Sequence, residues 1–269
     1  LSEYKEEIDK MRWSYSRLSS YQNCPYEFFL KYIVKAPDIY QEEGNFYAEL
    51  GSYVHSILEM VFKGELSIDD AGTYYYEHYD ENVFYTTKQS IMNKKYEACA
   101  DYFAEVDFSW LKDFDILGVE LECTTEIGGH SFVGYLDLVL RNKETGAIIL
   151  MDHKSAAYPF SEKTGNLLKS HKKTFDGYKR QMYTYCKMTY ERFGQYPETI
   201  CWNHFAAGGK YAEIEFSLDD YMEAMGWIKE SIEQIEREEE FPPNLNYFYC
   251  TQLCNFRNSC EYAADAVWK

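Results

Sequence analysis

At 269 residues and 46% hydrophobic content, the chain can bury a sizeable core as one large domain or two small ones. Its formal charge of −18 argues against broad, non-specific attraction to nucleic acid, because a phosphate-binding surface needs local positive potential. No run approaches the length of a membrane-spanning helix and the opening LSEYKEEIDK lacks signal-peptide character, so a cytoplasmic protein with no membrane partner is expected.

The first predicted element follows the acidic lead, where Ser14 or Ser16 suits a helix N-cap and Leu18 with Tyr21 forms an apolar stripe. Cys24-Pro25 interrupts it, and a second helical turn starts with Pro25 near its first position. Gly51-Ser-Tyr-Val-His55 leads into a helix over 54–63, which places His55 at the helix entrance. Such a histidine is either a structural hydrogen-bonding residue or a metal ligand through neutral imidazole. Aromatic-rich helices are expected at 74–85 and 91–106. A strand over 116–127 puts Glu120, Glu122 and Glu126 on one face if its alternation is unbroken, and Gly128-Gly129 turns it back.

The next stretch, GYLDLVLRNKETGAIILMDHK, reads as a hairpin of strands 132–140 and 148–154 around the turn residues 142–146. Each strand carries an aspartate in an otherwise apolar run, Asp137 and Asp152. Alternation sets Asp152 and Lys154 on one side and His153 on the other. A carboxylate in such a run is costly to bury unless it is paired or bound to a metal. Two of them beside a lysine suit a divalent-cation site with a cation left to meet an anionic substrate, the competing reading being a salt-bridged hairpin on a solvated face.

Beyond Lys154 the periodicity stops until about Phe175, and a linker of that length reads as a lid or mobile loop. It opens a basic cluster, Lys163, Lys169, Lys172, Lys173, Lys179 and Arg180, of which the last five are expected to bind DNA. A helix over 177–193 sets Gln181 and Tyr185 on one face at i and i+4. Strands at 199–206 and 211–216 flank Gly208-Gly209, and Asp219 is expected to cap a long helix through about Glu239.

Pro242-Pro243 ends that helix, and Cys250, Cys254 and Cys260 then crowd into eleven residues. Such clustering in an intracellular chain points to metal binding, and tetrahedral zinc or an iron–sulfur cluster needs a fourth thiolate. Cys99, Cys123, Cys186 and Cys201 sit inside predicted helices or strands as small hydrophobes, leaving Cys24 as the best remaining partner. With no internal repeats and no low-complexity linker, one domain over 1–269 is expected.

The order Cys24, Gly51-x-x-x-His55, Glu120, Gly134-x-x-Asp137, Asp152-x-Lys154, Gln181-x-x-x-Tyr185 and three clustered cysteines resembles the PD-(D/E)xK nucleases of the RecB-like branch. More narrowly it is similar to the iron–sulfur group that includes Cas4 and the AddB nuclease domain, whose opening the segment Ser14 to Phe29 also resembles. The tail spacing Cys-x3-Cys-x5-Cys departs from the two residues the family usually has between the first pair.

The resemblance implies an α/β (α+β) restriction-endonuclease-like fold: a central mixed sheet flanked by helices, with an iron–sulfur-stapled region of N- and C-terminal helices. It implies Mg2+ or Mn2+ held by His55, Asp137, Asp152 and the backbone carbonyl of His153, with Glu120 assisting. Lys154 would position or help deprotonate a water, oriented by Gln181 and Tyr185. A [4Fe-4S] cluster on Cys24, Cys250, Cys254 and Cys260 is implied, with zinc as the alternative occupant. The implied activity is a metal-dependent DNA nuclease, an exonuclease on single strands or DNA ends, in a bacterial or phage protein of DNA repair or recombination. Since no GxxxxGK[ST] loop is present, a stand-alone nuclease is expected, or a subunit whose motor a helicase or recombination partner would supply. Two other functions fit the same residues, a non-catalytic nucleic-acid-binding or assembly subunit of a recombination or CRISPR-type complex, and a metal-dependent enzyme acting on another phosphoester.

Overall fold

The computed structural model describes residues 4–35 and 45–266. Helices α1 (Lys5–Asp9), α2 (Tyr15–Asn23) and α3 (Pro25–Phe28) run into a π-helical turn at Phe29–Val34. Helices α4 (Phe46–Phe62), α5 (Ile68–Asn82) and α6 (Gln89–Glu105) precede strands β1 (Phe114–Ile127), β2 (His130–Asn142) and β3 (Ile148–His153). Helix α7 (Lys172–Phe193), strands β4 (Thr199–His204) and β5 (Lys210–Glu215) and helix α8 (Leu218–Arg237) follow. Among the described residues no helix is long and apolar enough to cross a membrane.

The strands form one mixed sheet in the order β1-β2-β3-β4-β5. β3 pairs antiparallel with β2 and parallel with β4, and β5 returns antiparallel to β4. A parallel neighbour requires a long crossover, which the 154–198 stretch supplies with α7. As the central strand, β3 is apolar through Ile148-Ile-Leu-Met151, and Ile148, Leu150, Met151, Asp152 and His153 are buried.

By contact density the chain falls into two compact units, Phe46–Cys123 with Gly134–Ala224, and Leu1–Asn45 with Thr124–Val133 and Met225–Lys269. In the first, Phe46, Leu50, Tyr53, Val54, Ile57, Leu58 and Phe62 recur along α4 at helical spacing and are buried. They pack with Tyr75, Tyr102, Phe103, Leu138, Leu140 and Phe205, and each such fully buried side chain contributes about 1.5–3 kcal/mol. In the second unit Trp13 is 1% exposed and joins the chain to β2 through Trp13 N–H to the Ser131 carbonyl and Val133 N–H to the Trp13 carbonyl, both 2.8 Å. Tyr21, Phe28, Phe29 and Phe241 form an aromatic cluster there, tied by the Tyr21 hydroxyl donating to Glu238 at 2.8 Å.

Several element ends differ from the sequence expectations. Helix α4 starts eight residues before Val54, at Phe46, so His55 lies mid-helix rather than at an entrance; the apolar stripe simply continues upstream. Helix α5 begins at Ile68, after the Ser67 cap, and α6 at Gln89. The α8 cap is Ser217, whose hydroxyl accepts from the Asp220 N–H at 3.3 Å, while Asp219 falls in the first turn. At the other end Ser14, not Ser16, caps α2. In the segment after Lys154 a bridge pairs Phe160 with Leu167, and α7 starts at Lys172, five residues before the expected Gly177, which brings Lys172, Lys173, Lys179 and Arg180 into that helix.

Helix α7 lies against β2 at Gly134. A Cβ there would stand 2.7 Å from Tyr185 Cε1 and 2.8 Å from Met188 Sδ, so the close approach requires glycine. Gly134→Ala is therefore expected to destabilise the fold by about 1–3 kcal/mol, through overpacking, and to be read as a lowered Tm in thermal denaturation. An unchanged Tm would mean that α7 is not seated this closely.

Candidate active site

The last β2–β3 ladder pair, Leu138 with Met151, continues by one position to set Asp137 against Asp152 on adjacent strands. Cross-strand neighbours of like charge repel, and here both side chains are largely withdrawn from water, at 11% and 3% exposure. Burial and the Asp152 charge push the Asp137 carboxyl up to about 7. Asp137 is also oriented, since its Oδ2 accepts the His153 N–H at 2.8 Å.

Positive charge reaches this pair from two sides. Lys154 Nζ lies 2.6 Å from Asp152 Oδ2, an ion pair whose angle is not that of a well-formed hydrogen bond. It donates to Gln181 Oε1 at 3.0 Å and sits 4.8 Å from the centre of the Tyr178 ring. Burial works to lower the Lys154 pKa, but Asp152 and Asp137 outweigh it and hold the group above its ordinary value. Gln181 in turn donates through Nε2 to the Tyr185 hydroxyl at 3.1 Å.

From α4, His55 directs Nδ1 to 3.7 Å from Glu120 and 3.6 Å from Asp137, while Nε2 lies 3.0 Å from the His153 carbonyl. Desolvation opposes a charge on His55, yet Glu120, Asp137 and Asp152 together raise its pKa. Among the described residues, His55, Glu120 and Asp137 are the group of three whose ligand atoms all lie within 4.8 Å of one another. Glu120 arrives there through a left-handed backbone, φ 47°, in the middle of β1. A non-glycine residue in that region costs about 1 kcal/mol or more, and the break in alternation leaves Glu122 and Glu126 exposed rather than on the face of Glu120.

The His153 ring is buried and stacks on Phe62 at 5.6 Å with planes 3° apart; desolvation, then the charges of His55 and Lys154, lower its pKa. Its Nδ1 lies 3.2 Å from Asn203 Nδ2, which also donates to the Tyr102 hydroxyl at 2.8 Å. Of the expected DNA-binding residues, Lys172 pairs with Asp176, Lys179 with Asp220 and Arg180 with Glu223, at 2.9, 2.7 and 2.9 Å. Lys169 sits in a single helical turn, Lys169–His171, and Lys173 is exposed at the start of α7.

Tyr178 and Asn203 were not among the candidates drawn from sequence. Tyr178 had a usable signal, because it precedes Gln181 by three and Tyr185 by seven on one helical face. Asn203 had none: it meets His153 only through the parallel pairing of β3 with β4.

In the other unit, Cys24, Cys250, Cys254 and Cys260 line one cavity, together with Glu27, Leu30 and Tyr249. Burial, then the charge of Glu27, pushes the Cys254 thiol up to about 12, and burial also raises Cys250 and Cys260. Cys99, Cys123, Cys186 and Cys201 are buried in the other unit, and all eight cysteines are free of disulfides.

A family model described as the PD-(D/E)XK nuclease superfamily matches residues 12–261. Among solved structures, a protein from Eubacterium rectale provisionally named an exonuclease aligns with a TM-score of 0.52 at 16% identity, covering 99% of this chain and 92% of its own. A second, SSO0001, aligns at 17% identity over 96% of this chain and 94% of its own, with a TM-score of 0.42. The first of these likenesses speaks for the fold, a mixed sheet flanked by helices. With the family model spanning all but the ends, this chain belongs to the PD-(D/E)XK nuclease superfamily.

Proposed function

We propose that the chain is a Mg2+- or Mn2+-dependent deoxyribonuclease that hydrolyses phosphodiesters, acting as an exonuclease on single-stranded DNA or DNA ends. One observation carries the reading: within a single compact unit, an imidazole and two carboxylates from three separate elements converge beside the Asp152–Lys154 ion pair. Family membership supports the reaction class, and the provisional exonuclease name of the Eubacterium rectale structure points the same way. The preference for single strands or ends rests on the RecB-like order of motifs.

The donor set fits a hard divalent cation. Two buried, opposed carboxylates with one pKa raised to about 7 lack the positive charge their burial demands. His55, Glu120 and Asp137 would hold the ion, with Asp152 adjoining. When bound, it would supply Lewis acidity to the phosphate and lower the pKa of a nearby water.

The protein groups have separable tasks. His55 gives its Nε2–H to the His153 carbonyl, which leaves Nδ1 facing the carboxylates, where it would give up its proton and offer a lone pair to a bound ion. The His153 carbonyl accepts this bond on one of its two lone pairs, which leaves the other for an ion, the role the resemblance implies for it. Lys154, raised above its ordinary pKa, is an ammonium at neutral pH, suited to bind a phosphate oxygen and offset developing negative charge rather than to remove a proton. Gln181, backed by Tyr185, and the ring of Tyr178 fix where that ammonium points.

For the four-cysteine cavity we propose a [4Fe-4S] cluster held by Cys24, Cys250, Cys254 and Cys260 in a structural role. Zinc is the alternative occupant, and the preference for the cluster rests on the resemblance to the iron–sulfur group, since among the described residues no three of these thiols come within 4.8 Å of one another.

Labelled linear DNA, single-stranded or double-stranded, should be degraded from its ends by the purified chain with Mg2+ or Mn2+ and left intact in EDTA, while circular DNA should survive. Asp137→Asn and Lys154→Ala should each slow cleavage by roughly a hundredfold or more while circular dichroism is unchanged. Gln181→Ala should cost less, about tenfold, because Asp152 and Tyr178 still hold the ammonium. Intact DNA under every metal condition, or full-rate cutting by Asp137→Asn, would end the nuclease reading. Anaerobically prepared protein should carry about four iron atoms per chain and lose them in Cys254→Ala; stoichiometric zinc without iron would exclude the cluster.

A further inference from the structure

The sheet-bearing unit contains a groove of about 1040 Å³ bounded by α6, the 157–168 segment and the β4–β5 connection. That is at or above the upper end of small-molecule pockets, roughly 300–1,000 Å³, and the groove is open, which suits a polymer better than a compact ligand. Its walls carry Lys94, Lys95, Lys163 and Lys210, with Tyr158 and Phe160 between them. In a chain of net charge −18 this is a local reversal of sign. The acid on the lining, Glu162, is paired with Lys210, and among the described residues Lys94, Lys95 and Lys163 have no carboxylate partner.

The aromatic residues are held in place. Phe160 is bridged to Leu167 and packs on Phe175 with ring centres 5.1 Å apart, and Tyr158 lies 5.8 Å from Phe160 under the ammonium of Lys210. The groove also lies near the site along the chain. Lys95 Nζ donates to the carbonyl of Ser155 at 3.0 Å, immediately after Lys154, and the lining begins at Ala157, at most roughly 11 Å of extended chain beyond Lys154. By contrast Lys172, Lys179 and Arg180 on α7 are already neutralised by acids.

We infer that this groove receives the single nucleic-acid strand whose phosphodiester is presented at Lys154, its phosphates meeting Lys94, Lys95, Lys163 and Lys210 and its bases lying against Tyr158 and Phe160. The inference rests on the nuclease reading of the site and relocates strand binding from the α7 lysines to the α6 side. Arrival of a phosphate at Lys210 would displace Glu162, an exposed pair that costs little to open.

The test measures fluorescence anisotropy of labelled oligothymidylate with the full chain in EDTA, where binding is read without cleavage, over a series of salt concentrations. Lys94→Glu combined with Lys163→Glu should weaken binding by at least about tenfold and flatten its salt dependence, whereas Lys172→Glu with Arg180→Glu, on α7, should stay within about threefold of the unaltered chain. Photocrosslinking from 5-iodouracil in the strand should map to the peptide bearing Tyr158 and Phe160. Binding by the groove variant equal to that of the unaltered chain, an equal loss in the α7 variant, crosslinks elsewhere, or no salt-dependent binding at all would overturn the inference even if DNA is cleaved with Mg2+. Groove-dependent binding by a chain that cuts nothing would instead sink the nuclease reading and leave the groove as a strand-binding site.

Discussion

The sheet-bearing unit is organised around a repulsion. β2 and β3 carry Asp137 and Asp152 into cross-strand opposition at the buried centre of a sheet, where two carboxylates cannot both be comfortable. Everything polar nearby serves that conflict. An ammonium lies against one carboxylate, an imidazole approaches the other, and a backbone N–H is given to Asp137 instead of to a strand neighbour. Burial and the Asp152 charge still raise the Asp137 pKa against these groups. A structural salt bridge would have neutralised the pair. The convergence of His55 and Glu120 on Asp137 is what supports the cation-site reading over a salt-bridged hairpin.

Helix α7 turns this charge arrangement into a directed one. Its crossover makes β4 a parallel neighbour of β3, and the absence of a side chain at Gly134 lets the helix come down on β2. That descent brings Tyr178, Gln181 and Tyr185 to the ammonium of Lys154 from one helical face. The Lys154 side chain is thereby confined by a carboxylate, an amide and a ring, so little rotamer freedom remains to be lost when a phosphate is bound.

How far the sequence foretold this depends on the range of each interaction. The Asp152, Lys154 and His153 faces follow from strand alternation, and the Gln181 and Tyr185 pairing from helical spacing; both are local periodicities. The entry of α4 was misplaced because the Gly51-Ser52 pair looked like a helix start, whereas buried Phe46 and Leu50 carry the helix through it. Glu120 was set on the face of Glu122 because no composition signal marks a left-handed glutamate in a strand. Asn203 was invisible, since its contact with His153 exists only after β4 has crossed over. The lysines were legible as a cluster but not as free or spent charges, because Asp220 and Glu223, some forty residues away in sequence, decide that.

The same distinction governs the surface electrostatics. A formal charge of −18 says that the whole chain repels a polyanion, but affinity is set by the lysines that have no carboxylate to satisfy them. On α7, Lys172, Lys179 and Arg180 are spent on Asp176, Asp220 and Glu223, where they stabilise the helix and its neighbours. On α6 and the 157–168 segment the charges stay available, and they adjoin the strand end that carries Lys154. On the strand-binding inference, a basic, aromatic-lined groove in an otherwise acidic chain would admit a polyanion along that route and disfavour its approach from acidic surfaces. Selectivity for a threaded strand can thus arise from where the compensation is missing, with no increase in the number of basic residues.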